Sequence, residues 1–285
     1  MNTPRHTSFD QRLVRYEQLH EILPDHFRAF IAAGQIRGNC RILDCGCGYG
    51  SVTREILKAT AADRARGETT LTIDLIDDSA VQLDGARWEL AAWNGSPGAK
   101  LDFIPGVFPD DLRAGPGTYD VIACKMVLHE VLKERQSAFV GSVYEHLKLH
   151  GRFIFWDLCL PPDLASFYRA VFKKKDVLAG YDTLVERRTF MTEPEFVELF
   201  HSSPFRAFQI VAEIAYRFDT LKRLEPELKG DLKAFAEWQN FIRASIADLD
   251  PSAVEKLMFE DDGDSISFNV RKIIAVAQRR NARSE

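Results

Sequence analysis

The spacing of apolar residues changes several times along the chain, and each change marks an element. Phe9, Leu13, Tyr16 and His20 recur at helical intervals behind a capping pattern of Ser8 and Gln11, and 23–33 continues as a second helix that stops at Gly34. The short apolar run 41–44 enters a glycine-rich turn, after which Val52, Ile56 and Leu57 mark a helix. The unit recurs: 71–76 is a strand, and Ser79 with Gln82 caps a helix carrying Val81, Ala86, Leu90 and Trp93. Strands at 101–104 and 119–124 follow, then a helix with Phe139, Val143 and Leu147 on one face, and a fifth strand at 152–158 after Gly151. Strands alternating with helices imply right-handed crossovers and a mostly parallel sheet covered on both faces.

Beyond residue 160 the rhythm becomes mainly helical. Thr192, Pro194 and Glu195 open one helix, 207–217 reads as a strand, and 270–277 is the last strand. Between these two strands lies a block, 219–262, with the apolar stripe Leu232, Phe235, Trp238, Ile242 and Ile246 and a further helix starting at Asp250 and Pro251. It reads as an insertion between two strands that should pair. The expected organisation is a helical segment 1–37, a core of 38–218 and 263–279, the insertion 219–262, and a tail 280–285.

The formal charge of −5 provides no field that would gather nucleic acid or an anionic membrane. Basic runs at 173–175 and 279–283 read as solvated faces. Five cysteines without a C-x-x-C pair suggest neither disulfides nor a zinc site, and no metal is expected. With no apolar leader and no stretch long enough to cross a bilayer, a cytoplasmic protein is expected.

In an open parallel sheet, ligands bind outside the carboxyl ends of the strands, so the turn after the first strand is the first place to look for chemistry. That turn is Asp44-Cys45-Gly46-Cys47-Gly48-Tyr49-Gly50. A dinucleotide fingerprint, G-x-G-x-x-G, would need glycine at Ser51, and Gly50 comes one residue early. The D-x-G-x-G-x-G string instead resembles motif I of class I S-adenosylmethionine-dependent methyltransferases. Ile76-Asp77-Asp78-Ser79 looks like that family's acidic end of strand two. The segment Tyr119 to Ala123 with Met126-Val127-Leu128-His129-Glu130 looks like its fourth strand and exit. Residues 147–154 look like its passage into strand five. The likeness covers roughly 38–160 and is co-linear.

The resemblance implies a Rossmann-like α/β fold with a seven-stranded, mostly parallel sheet, S-adenosyl-L-methionine as cofactor, an N-terminal helical lid over 1–37 and a substrate cap in the insertion. It carries cofactor roles to Asp44, Gly46, Gly48, Gly50, Asp77, Asp78 and, through its backbone, Lys125. Asp77 would accept from both ribose hydroxyls, with Asp74, inside the strand, as the competitor. Where the family often has an acid after strand three, this chain has Val107; backbone groups near Val107 and Phe108, or Asp110, would take its place.

If the acceptor is a hydroxyl or thiol a base is needed, and His129 at the exit of strand four is the candidate, with Asp157 as the alternative and Glu130 read as a solvated helix-start residue. Tyr16 could reach the methionyl group or simply pack. Phe235, Trp238 and Phe241, with Phe167, Tyr168, Phe172 and Tyr181, could roof an aromatic acceptor pocket, or form a plain core or a homodimer contact. The leading function is methyl transfer to oxygen, nitrogen or carbon of a small molecule. The alternatives are other chemistry or a non-catalytic partner role on the same fold, and RNA methylation, which lacks any base-flipping motif or basic stripe.

Overall fold

The structure, a computed structural model, describes residues 24–280; the helix expected at 8–20, with Tyr16, lies outside the described residues, as does most of the basic tail. Helix α1 (Pro24–Gly34) leads into β1 (Asn39–Cys45), then α2 (Ser51–Ala59), α3 (Ala61–Ala65), β2 (Thr70–Asp77), α4 (Ala80–Glu89), β3 (Ala99–Pro105) and β4 (Tyr119–Lys125). Helix α5 (Lys133–His146), β5 (Leu147–Leu158), α6 (Ala165–Leu178), α7 (Asp182–Arg187) and α8 (Glu193–His201) follow. The chain closes with β6 (Gln209–Asp219), α9 (Leu221–Leu228), α10 (Leu232–Ala247), α11 (Pro251–Leu257), the two-residue β7 (Glu260–Asp261) and β8 (Ile266–Gln278).

The sheet runs β3-β2-β1-β4-β5-β8-β6, with β7 added as a short eighth strand beside β8. Strands β1 to β5 pair in parallel, while β8 is antiparallel to both β5 and β6. The α/β fold with a mostly parallel sheet is therefore as expected, and the sheet has eight strands where seven were anticipated. The order reverses between β1 and β4, so the carboxyl ends of those two strands diverge into a crevice.

Alternation along β5 divides the core between the two faces of the sheet. Phe153 and Phe155 join Phe196, Phe200 and Phe205 on one face, while Ile154 and Trp156 meet Phe27 and Phe30 of α1 on the other. Local signals agree with these positions. Ser79 accepts from the Gln82 amide at the start of α4, and Thr192 with Glu195 forms a capping box on α8. Among the described residues no helix is long and apolar enough to cross a membrane.

The helices between β6 and β8 contribute no side chain to the wall of the crevice. Phe235, Trp238, Ile242 and Leu257 pack with Phe167, Tyr168 and Phe268 into a third apolar cluster, and Trp238 Nε1 donates to the Val171 carbonyl at 3.1 Å. Leu232 is exposed rather than part of the stripe. The aromatics anticipated as an acceptor pocket thus form core against the first half of β8. Trp238→Phe should lower unfolding free energy by about 1–2 kcal/mol through the lost hydrogen bond and a small void, while leaving cofactor affinity unchanged. Urea denaturation beside a binding titration checks this, and an affinity loss would show that the block reaches the cavity.

Candidate active site

One cavity of about 650 Å³ opens at the carboxyl edge of the sheet, where β1, β2, β4 and β5 end. The glycine turn, Asp77 and Asp78, the 106–110 loop, Lys125 to Val127, Glu130, Trp156, Arg187 and Lys272 all contribute to its wall. This volume lies within the roughly 300–1,000 Å³ usual for small-molecule sites.

The turn after β1 is built by backbone hydrogen bonds. Gly46 and Cys47 amides both donate to the Ile76 carbonyl, and Gly46 adopts φ +68°. A Cβ at Gly46 would stand 2.5 Å from Val127 Cγ2, so only glycine allows β1 to turn this close to the exit of β4. Gly50 caps α2 without a side chain, and Ser51 and Val52 of its first turn reach the cavity wall. That places a helix N-terminus, with its unpaired N–H groups, at one side of the cavity.

Asp77 fixes the neighbouring wall. One carboxylate oxygen accepts from the Gly48 amide at 2.8 Å and the other from the Ser79 amide at 2.9 Å. Burial, with Asp78 and Asp44 nearby, pushes its carboxyl up to about 7 against the pull of those two amides. The competing Asp74 is buried inside β2, where it accepts from Arg41 at 2.8 Å and Tyr119 at 2.7 Å, away from the cavity. On the opposite wall, Val107 and Phe108 line the cavity with Asp110, and the Val107 amide donates to Asp111 at 2.8 Å.

Gly46, Gly48, Asp77, Asp78, Val107, Phe108 and Lys125 all line this cavity, whereas Asp44, Gly50 and His129 stand behind its wall. Asp44 is buried and takes the Thr53 hydroxyl at 2.7 Å and its amide at 3.2 Å, tying β1 to α2. A Cβ on Gly50 would meet Leu90 at 2.8 Å, which explains that glycine by helix packing.

His129 departs furthest from expectation. It is buried in a single turn of 3₁₀ helix, with Nδ1 2.5 Å from Asp157 and Nε2 3.2 Å from Glu130, and its ring stacks on Phe190 at 5.3 Å. Burial alone would lower its pKa; the two carboxylates raise it to about 9, so the ring is a cation at neutral pH. Both nitrogens are engaged and the ring is already protonated. Asp157, the alternative base, is locked to it.

Glu130 is not a solvated helix-start residue. It lies on the cavity wall and binds Arg188 at 2.8 Å; Arg188 reaches Asp176, which meets Lys175, which joins Glu227 and through it Arg223. Acids and bases alternate along this buried chain, so each charge lies between opposite ones.

Lys272 is the cavity residue that motif reading missed. A signal existed: Ile266, Phe268 and Val270 mark the inward positions of β8, and Lys272 falls next in that series, a charge where the pattern calls for an apolar side chain. Trp156, known from sequence only as the neighbour of Asp157, is a second such residue.

This architecture and turn define a class. Residues 43–153 match a protein-family model described as "Methyltransferase domain", and the chain carries a class I S-adenosylmethionine-dependent methyltransferase domain whose cofactor is S-adenosylmethionine. Among solved structures, the YcgJ protein of Bacillus subtilis shares the fold at a TM-score of 0.67 and 17% identity, covering 90% of this chain and 99% of its own. A candidate methyltransferase of Bacillus halodurans does so at 0.67 and 15%, covering 90% and 100%. A Haemonchus contortus phosphoethanolamine N-methyltransferase, solved with S-adenosylhomocysteine, matches at 0.54 and 12%, covering 90% of this chain and 53% of its own. No curated protein sequence matches the chain.

Proposed function

We propose that the chain transfers the methyl group of S-adenosylmethionine to a small-molecule acceptor held in the same cavity. The observation that carries this reading is the cavity's make-up: a glycine turn, helix N-terminus and ribose-type carboxylate at one end, and Lys125, Trp156 and Lys272 at the other. When bound, the cofactor supplies a methyl group already activated on a sulfonium sulfur. Gly46 and Gly48 let the backbone approach it closely, and the N-terminus of α2 takes its carboxylate. Asp77 accepts from the ribose hydroxyls, and the Val107 to Asp110 loop flanks the adenine. Asp78 stands next to the ribose, and Lys125 bounds the reacting end.

What remains for the protein is to orient the acceptor and exclude water. His129 and Asp157 serve this from behind the wall by fixing Glu130 and the exit of β4. The cavity's volume of about 650 Å³ suits a small acceptor better than RNA. Incubation with S-adenosylmethionine and fractionated metabolites should release S-adenosylhomocysteine with at least one fraction. Product from structured RNA alone would overturn the small-molecule assignment.

Asp77 makes cofactor binding depend on pH. The ribose hydroxyls need an ionised acceptor, and the carboxyl titrates at about 7 in the free protein. Affinity should be flat above pH 8 and fall by roughly tenfold per unit below 7, since ligand binds the form that acid removes. Calorimetry between pH 5.5 and 8.5 measures it, and a flat profile would contradict the assignment of Asp77.

A further inference from the structure

Arg187 closes α7 and Arg188 follows it, and the two side chains take different directions. Arg188 is 7% exposed and runs inward to Glu130 and Asp176. Arg187 is 40% exposed and contributes to the cavity wall. Among the described residues its guanidinium makes no hydrogen bond, and its ionic contact is with Asp78 at 3.9 Å, beyond hydrogen-bonding distance.

We propose that the methyl acceptor is a small organic anion, carrying a carboxylate or phosphate group, and that Arg187 is the residue that recognises it. This rests on the small-molecule methyltransferase reading above and gives the acceptor its chemical class.

The backbone at Arg187 is anchored beside the exit of β4, since Arg188 binds Glu130 at 2.8 Å and the Thr189 amide donates to the His129 carbonyl at 2.8 Å. The tip of the side chain reaches Asp78, next to the proposed ribose carboxylate at the end of β2. The crevice runs between those two points, so the guanidinium spans the passage from the ribose end of the cavity to the acceptor end.

An arginine is charged at every working pH and presents five donors in a planar fork that matches a carboxylate or phosphate. The alternating chain behind the wall pairs its acids and bases without Arg187. Of the acids on the wall, Asp77 is held by two amides, Glu130 belongs to that chain, and Asp110 stands in the loop assigned to the adenine. Lys125 brings further positive charge to the same cavity, its Nζ 5.8 Å from the centre of the Trp156 ring. The sulfonium brings more when the cofactor is bound. A cationic acceptor would meet like charges here, whereas an oxyanion gains charge-assisted hydrogen bonds from Arg187 in place of a loose ion pair.

The first test needs no knowledge of the acceptor. In protein labelled with isotopes in its arginine side chains and saturated with S-adenosylhomocysteine, the side-chain N–H resonance missing from Arg187→Gln identifies the group. Sodium benzoate or phenyl phosphate should shift it well beyond the change that equal concentrations of benzamide or sodium chloride cause, and the tighter of the two anions tells carboxylate from phosphate. Equal shifts from benzamide, or none from either anion beyond the chloride change, would overturn the proposal. Among metabolites passed over an anion exchanger at neutral pH, the fractions that release S-adenosylhomocysteine should be retained ones, and activity confined to the flow-through would overturn it as well. With an active fraction, Arg187→Gln should raise the acceptor KM about tenfold to a hundredfold, with a smaller fall in kcat, and Arg187→Lys should recover part of the loss. A loss of cofactor affinity as large as the rise in acceptor KM would make Arg187 a clamp on Asp78 instead. Failure of S-adenosylhomocysteine to bind wild-type protein would sink the methyltransferase reading, and the anion titration, repeated without it, still decides whether Arg187 takes an oxyanion.

Discussion

Replacing His129 with alanine is expected to lower the unfolding free energy by about 3–5 kcal/mol, because it leaves the Asp157 and Glu130 carboxylates facing each other without the cation between them. The loss is Coulombic more than volumetric, so His129→Phe, which keeps the stack on Phe190, should recover little of it. Wild-type stability should carry the signature of the same pair. The folded-state pKa of about 9 lies above the roughly 6.5 of an unfolded histidine, so the stabilisation is fully present below about 6.5 and disappears as pH rises through 9. It amounts to about 3 kcal/mol across that window. Urea denaturation at pH 6, 7.5 and 9.5 should show this decline in wild type and not in His129→Ala. An equal decline in both would show that the ring is not the titrating group.

The second large effect concerns the cofactor. Asp77→Ala should weaken S-adenosylmethionine binding about a hundredfold to a thousandfold. It removes a charged acceptor for two ribose hydroxyls and, in the same stroke, frees the Gly48 and Ser79 amides that hold the glycine turn and the start of α4. Asp77→Asn should lose less, since an amide oxygen still accepts from one of these groups. Asp74→Asn should barely alter affinity, because Asp74 is turned to Arg41 and Tyr119. Calorimetry on the three variants separates these expectations, and a larger loss in Asp74→Asn than in Asp77→Asn would reverse the assignment.

The legibility of this molecule in its sequence followed the range of the interactions involved. Strand β5 could be read because its neighbours are apolar on both faces, and α8 could be read because Thr192 and Glu195 cap it within four residues. The cofactor end was legible for a similar reason: Gly46, Gly48 and Asp77 act through local turns whose spacing is fixed. The acceptor end was not. Glu130 looks like a solvated helix start until Arg188, far along the chain, is placed against it. Lys272 lies more than a hundred residues from Lys125 and Trp156, and only the pairing of β8 with β5 brings it to their cavity. His129 was noticed for its position, but nothing local reveals that Asp157 reaches its ring. The aromatics of 219–262 have the composition of a binding pocket and the packing of a core, and spacing alone does not distinguish the two.

Crystals grown with S-adenosylhomocysteine offer the most direct test of where the cofactor sits. The ribose hydroxyls are predicted to lie on Asp77, the carboxylate at the N-terminus of α2, and the sulfur toward Lys125 and Lys272. Ribose contacts made by another carboxylate, or a ligand lying outside the cavity between the glycine turn and Trp156, would contradict the account.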